Sequence, residues 1–429
     1  MTNRFTVIAA GLAFLGLMAN EACDTHPRPA VPVTITFADS TWWASRQRHS
    51  HQLQQFTQET GIQVQPVMMA NGEPSMLRRM LEQESGGADV YGFDATWPGM
   101  FAEQFIDLKP YVPASDIAMH FPTLIANCTV RGVLVCLPRA AMVPLLWYRG
   151  DLLQQHGYRA PPRTWNELEQ MAARIQAGER AKGRTDFWGF VWAGARSLPL
   201  ATVALEWQAS EGGGTIVENG RVTVNNAAAV ASWERAAGWI GSISPPAVLE
   251  YMEPDVYNVW SSSNAAFARS WPFESAFDRR ELPKESVGVA PLPKGAIRRA
   301  ATLGRYSFGV SRRSPHPREA AMLVRFLSRR DVELEYAREF HVPPSIIDLY
   351  DDPTLVAANP HFVAVRETLV DGVVMRPSAE TGMAYPEVAR AYVDAVHGVL
   401  AREQRASEAA ANLENVLRRV TDPKPAVRK

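Results

Sequence analysis

The sequence predicts a two-lobed α/β protein, and three observations carry that prediction. The chain has 429 residues, too many for one ordinary hydrophobic core, so two lobes are expected. It opens on a strand, a helix and a second strand, the unit from which mixed α/β folds are built. Strands and amphipathic helices still alternate beyond residue 300, and no repeat of solenoid period points to another architecture.

The elements follow in order. Val33-Thr34-Ile35-Thr36-Phe37 alternates as a first strand. A helix through Leu53 and Phe56 stops near Gly61 and gives way to the strand Ile62 to Val67. A second helix around Met76 to Leu81 leads to Ala88-Asp89-Val90-Tyr91-Gly92-Phe93-Asp94, a strand that delivers Asp94 and Trp97 to a loop. Thr164-Trp165-Asn166-Glu167 is a capping box, and Leu168, Met171, Ala172 and Ile175 form one apolar helical face behind it. After the loop Gly212-Gly213-Gly214, the pair Asn219-Gly220 predicts a tight hairpin turn. Ala265, Phe267 and Ser270 alternate as a strand that Pro272 ends, leaving Arg269 and Trp271 at the element's end. Tyr306 to Ser311 reads as a strand, followed by a helix with Ala320, Leu323, Val324 and Leu327 inward.

The amino terminus sets the compartment. Arg4 precedes an apolar run from Phe5 to Met18, too short to span a bilayer and of the length of a signal h-region. Residues 1–22 are read as a signal peptide. Ala19-Asn20-Glu21-Ala22-Cys23 resembles the lipobox of bacterial lipoproteins, in which Cys23 would carry lipid, although Asn20 stands where an aliphatic residue is usual. Pro27, Pro29 and Pro32 mark residues 23–32 as a tether. The other two cysteines, Cys128 and Cys136, lie symmetrically about Gly132, as cross-strand neighbours of a hairpin would. A disulfide is expected there; the alternative is two buried thiols.

Composition and motifs exclude several classes. Lys plus Arg total 44 against 45 for Asp plus Glu, with no long run of like charge, so no nucleic-acid partner is expected. The phosphate loop, the dinucleotide fingerprint, the zinc-protease motif and the nucleophile elbow are all missing from the sequence. His49 and His51 point to different sides of a helix, and no metal or cofactor is expected. Pairs such as Glu250 with Glu253 have no spacing that singles them out for acid-base work, so an exported glycosidase is the weakest reading. Twelve tryptophans and element ends that carry rings beside charged groups suit a sugar. The apolar face of a pyranose lies on a ring, while its hydroxyls need carboxylate acceptors and guanidinium donors.

At these residues the chain resembles the extracellular solute-binding proteins of bacterial ABC importers, in the carbohydrate-binding group that includes trehalose and maltose binders. The matching pieces run in order. They are Asp94-Ala95-Thr96-Trp97 with Phe101-Ala102-Glu103, Pro144 to Leu153 as a crossover strand, and Asn264 to Pro272 with its Arg-x-Trp-Pro ending. Leu303 to Ser311 follows as a counterpart of a Gly-Gly-Trp strand start, and Met375-Arg376-Pro377 closes the series. The resemblance implies the two-lobed periplasmic binding protein fold, with a ligand cleft between lobes formed by residues 33–140 plus 291–327 and by 141–290 plus 328–429. It implies chain crossings near 138–145, 287–292 and 325–330. Asp94 would accept sugar hydroxyls, Trp271 and Tyr306 would stack on rings, and Arg376 would donate paired hydrogen bonds; Trp97, Trp42 and Trp43 are further candidates. Arg305 and Tyr306 stand where Gly-Trp is usual, so Arg305 could instead read a phosphorylated or acidic polyol. For Arg269 a packing salt bridge is expected. The implied protein is a monomer in the periplasm or on the outer face of the membrane. It binds a saccharide without catalysis and docks on membrane permease subunits driven by a separate ATPase.

Overall fold

The computed structural model describes residues 32–39, 43–68, 78, 87–272, 286–304 and 306–422. Two sheets organise these residues. The first has the spatial order Gln63–Met68, Thr34–Asp39, Val90–Phe93, Ser307–Val310, Leu137–Pro138. Its first three strands are parallel, as the β-α-β opening requires, and Ser307–Val310 returns from late in the chain to pair antiparallel with both Val90–Phe93 and Leu137–Pro138. The second sheet has the order Val287–Ala290, Leu145–Arg149, Ala265–Ser270, Trp188–Val191. There Ala265–Ser270 runs antiparallel to Leu145–Arg149 and parallel to Trp188–Val191.

Each sheet has its own core. Phe37, Tyr91, Phe105 and Leu323 belong to the first, and Trp165, Phe190, Trp207 and Trp233 to the second. The chain leaves the first sheet at Pro138 and enters the second at Leu145; it leaves the second at Ala290 and re-enters the first at Ser307. Residues 139–144 and 291–306 thus carry the chain between the two bodies, with Leu292, Ala300 and Ala301 still in the second core.

Local signals place the elements. The Thr164 hydroxyl accepts the Glu167 amide at 3.2 Å and caps the helix Trp165–Ala181, whose Leu168, Met171, Ala172 and Ile175 are buried. The Glu167 carboxylate reaches back one residue further than expected, to the Arg163 amide at 2.6 Å. Asn219 and Gly220 take φ of 51° and 71°, the left-handed pair that closes Val217–Glu218 on Arg221–Val222. The helix Pro317–Leu327 buries Ala320, Leu323, Val324 and Leu327 against the first sheet. Of the helix expected around Met76 to Leu81, all but Arg78 lies outside the described residues. Among the described residues no helix is long and apolar enough to cross a membrane.

The expected disulfide does not form: Cys128 and Cys136 are both free and buried. The hairpin pairs Thr129 with Leu134 and Val130 with Val133, so it is centred between Arg131 and Gly132 rather than on Gly132. That half-residue difference sets Cys128 opposite Val135, whose amide donates to the Cys128 carbonyl at 2.9 Å, while the Cys128 and Cys136 thiols remain in contact. The Cys128 thiol donates to the Ser307 hydroxyl at 3.5 Å. Burial, and then the neighbouring Cys128, push the Cys136 thiol well above its ordinary value, which leaves it protonated and unreactive.

Candidate functional site

Ala265–Ser270 ends because Pro272 has no amide to extend the ladder, and Trp271 is thrown to the sheet's edge. The indole is 7% exposed and its N–H donates to Glu253 Oε1 at 2.7 Å, which satisfies the polar end of the ring. The Arg269 guanidinium lies 4.8 Å from the ring centroid. Arg269 is itself held by a fork to Glu206, Nε to Oε2 at 3.0 Å and Nη2 to Oε1 at 2.7 Å. Glu206 Oε1 also accepts the Thr302 amide at 3.2 Å and its hydroxyl at 2.7 Å. This is the packing salt bridge expected for Arg269, and it makes the support beneath Trp271 rigid.

The segment from Leu303 to Tyr306 joins the remaining groups. Gly304 lies flat beneath Trp271: a Cβ there would be 2.8 Å from the indole Cζ3 and 3.0 Å from Met142 Cβ. The Leu303 carbonyl accepts Arg376 Nη2 at 3.0 Å, and the same nitrogen donates to Asp94 Oδ1 at 3.1 Å. Asp94 Oδ1 is set in turn by the Thr96 amide at 3.1 Å and hydroxyl at 2.9 Å. The Tyr306 amide donates to the carbonyl of Phe93, next to Asp94, at 3.2 Å. Trp271, Gly304, Arg376, Asp94 and Tyr306 thus form a continuous chain of contacts where the two bodies meet. Tyr306 has φ of 104°, a conformation glycine adopts far more readily, so its ring is carried on a strained backbone. Burial opposes the Arg376 charge, but Asp94 and Tyr385 outweigh it and hold the guanidinium above its ordinary value.

The structure does not bring every expected residue here. Trp97 begins the helix Trp97–Phe101, which turns its ring into the first sheet's core; it is 2% exposed and meets Phe101 edge-on at 6.5 Å. It is a packing residue, not one of the rings around Trp271. Arg305, Trp42 and Cys23 lie outside the described residues, and so does the side chain of Trp43, which opens the helix Trp43–Thr60. A cavity of about 450 Å³ lined by Met100, Glu103, Arg131, Arg312 and Met383 includes none of the expected contacts. Sequence reasoning missed Met142 and Glu206, set Glu253 aside as an unremarkable carboxylate, and quoted Gly304 only as part of a motif. Of the two missed, only Glu206 left a trace, as the lone carboxylate in the buried helix Leu198–Ser210.

Beside this chain lies a buried polar group. Glu333 accepts the Ser345 amide at 2.8 Å and hydroxyl at 2.6 Å, and Ser345 Oγ is 2.8 Å from His120 Nδ1. Burial pushes the Glu333 carboxyl up to about 8, against the pull of Arg139 and the Ser345 hydrogen bonds. The folded protein therefore keeps a proton that the unfolded chain releases, and stability falls as the pH rises toward 8. Burial lowers His120 to about 4, which has the opposite effect, with stability lost as the pH falls below the ordinary histidine range. Of these two groups, Glu333 is the one that acts above about pH 7. Urea unfolding followed from about pH 7 to 8.5 is expected to show declining stability, and Glu333→Gln to flatten that decline. An unchanged slope in the variant would exclude Glu333 as its source.

Residues 48–333 match the family described as bacterial extracellular solute-binding protein. The chain belongs to that family. This solute-binding protein is 36% identical, over 95% of its length and 98% of the relative's, to a probable ABC transporter-binding protein of Deinococcus radiodurans. It superposes on maltose-bound MalE3 of T. maritima with a TM-score of 0.79 and 32% identity, covering 90% of this chain and 100% of that one. A solute-binding protein of Agrobacterium radiobacter in complex with ribitol gives a TM-score of 0.73 at 21% identity, over 90% of this chain and 98% of the other. That last likeness shows the fold alone. The solute-binding protein has the two-lobed periplasmic binding protein fold and is the small-molecule-binding component of an ABC importer, of a family that works outside the cytoplasmic membrane.

Proposed function

We propose that this protein binds a di- or oligosaccharide, of the trehalose or maltose kind, between its lobes and hands it to the importer's permease. The observation that carries the reading is the contact chain from Trp271 through Gly304 and Arg376 to Asp94 and Tyr306. It sets two rings, one guanidinium and one carboxylate at a single seam, the groups a pyranose needs. The maltose bound to MalE3, a relative in fold and at 32% identity, supports the same class.

Asp94 and Trp271 belong to different sheets, so a sugar that touches both lowers the closed state relative to the open one. Closure moves residues 33–140 plus 291–327 against 141–290 plus 328–429. Arg376 and Asp94 pair at 3.1 Å, and sugar hydroxyls take over part of that bonding. A micromolar affinity, about −8 kcal/mol, is within reach of two stacked rings and a few charge-assisted bonds.

Calorimetric titration of the purified chain with maltose, trehalose, longer maltodextrins, ribitol and acidic sugars tests the reading. At least one saccharide is expected to bind, and Trp271→Ala to weaken it by about tenfold or more, the equivalent of about 1.4 kcal/mol. If no saccharide in the panel, neutral or acidic, releases heat or raises the melting temperature, the reading fails.

A further inference from the structure

We propose that Arg139 is a specificity-determining ligand contact, which selects a saccharide carrying an anionic group over its neutral parent. The inference rests on the saccharide reading above and names the class of sugar.

Arg139 lies in the segment that passes from the first sheet to the second, and its amide donates to the Tyr306 carbonyl at 2.8 Å. Its side chain is 1% exposed and its guanidinium lies 4.2 Å from the centroid of Tyr336. Tyr336 packs in one group with Trp271, Met142 and Ala140, against which Tyr306 also lies. The guanidinium is therefore built into the floor of the same site.

Its bonding is incomplete. Nη2 donates to Gln52 Oε1 at 2.7 Å, while Nε and Nη1 have no hydrogen-bond partner among the described residues. Among those residues, too, no carboxylate lies within ion-pair distance of it. The nearby Glu333 spends its two oxygens on the Ser345 amide and hydroxyl. By contrast Arg269, equally buried, has both oxygens of Glu206. A buried guanidinium with unused donors and only the longer-range pull of Glu333 is costly, and folded proteins seldom leave one so unless another molecule completes it. What completes it is an acceptor with negative charge, a carboxylate or a phosphate on the bound sugar. The neutral ring of Tyr336 stabilises the cation in the meantime.

The test compares matched pairs on the purified chain by calorimetry: maltose against maltobionate for a carboxylate, and trehalose against trehalose phosphate for a phosphate. At least one acidic member is expected to bind about tenfold or more tightly than its neutral parent. Arg139→Gln is expected to bring that ratio close to one, and Arg139→Lys to keep part of it, with melting curves showing that each variant is folded. A ratio near one in the unaltered protein overturns the proposal whatever the variants do. So does a preference that survives in Arg139→Gln. Neutral sugars bound without acid preference defeat this inference alone, whereas silence from every sugar defeats the saccharide reading itself.

Discussion

Replacing Glu206 by alanine lowers the unfolding free energy by about 3–5 kcal/mol, the loss found when one member of a buried ion pair is removed. Glu206 is 1% exposed and accepts four hydrogen bonds, two from Arg269 and two from Thr302. Without it Arg269, 2% exposed, keeps among the described residues Thr202 Oγ1 at 3.3 Å, a distant Glu253 at 3.9 Å and the Trp271 ring at 4.8 Å. The cost is that of an isolated buried cation, not of the pair's net attraction. The double variant Glu206→Leu with Arg269→Met is therefore expected to recover most of the loss, because it removes both charges and keeps the volume. Urea unfolding of the two variants measures this. A loss under about 1 kcal/mol in the single variant would mean that water or a rearranged Glu253 reaches Arg269. Because Arg269 lies beneath the Trp271 ring, the single variant should also loosen the site.

Gly99→Ala has the second large effect, through geometry instead of charge. Gly99 lies in the helix Trp97–Phe101 of the first sheet's core, pressed on the short helix Ser378–Thr381. A Cβ there would lie 2.6 Å from the Ser378 carbonyl oxygen and would collide with the Ala379 amide nitrogen. These are backbone atoms, which cannot rotate aside. The helix Ser378–Thr381 is tied on its other side to the second body, where the Glu380 carboxylate accepts the amides of Asn219 at 3.0 Å and Gly220 at 2.7 Å. One methyl group is thus a wedge in the seam that also holds Asp94 and Arg376. Overpacking of this kind costs about 1–3 kcal/mol, which would move a closed-to-open equilibrium by about 5- to 150-fold. Small-angle scattering of the variant is expected to give a larger radius of gyration than the parent, and saccharide affinity to fall. An unchanged radius with unchanged affinity would show that the seam absorbs the methyl.

Much of the architecture is written locally. The Thr164 cap, the Asn219-Gly220 turn and the strand that Pro272 stops all depend on residues within a few positions of one another. Asp94, Arg376, Trp271 and Tyr306 could be named from strand ends and from family resemblance, and the fold connects them through residues 303 and 304. Two expectations fail for different reasons. Cys128 and Cys136 are nearly symmetric in sequence and their thiols are neighbours in the fold, but spacing does not distinguish a bonded pair from two buried thiols. Trp97 follows a strand end in sequence, but the short helix it begins faces inward.

By itself the sequence determined the alternation of strands and helices, their caps and turns, and the residues placed at strand ends, because these follow from backbone preferences and periodicity over short spans. Only the tertiary structure decided which charges were paired: Arg269 with Glu206 across 63 positions, Arg376 with Asp94 across 282, and Arg139 left short of an acceptor among the described residues. Those outcomes depend on how two sheets built from discontinuous segments bring distant residues together. In a desolvated interior that proximity separates a satisfied charge from one that waits for a ligand.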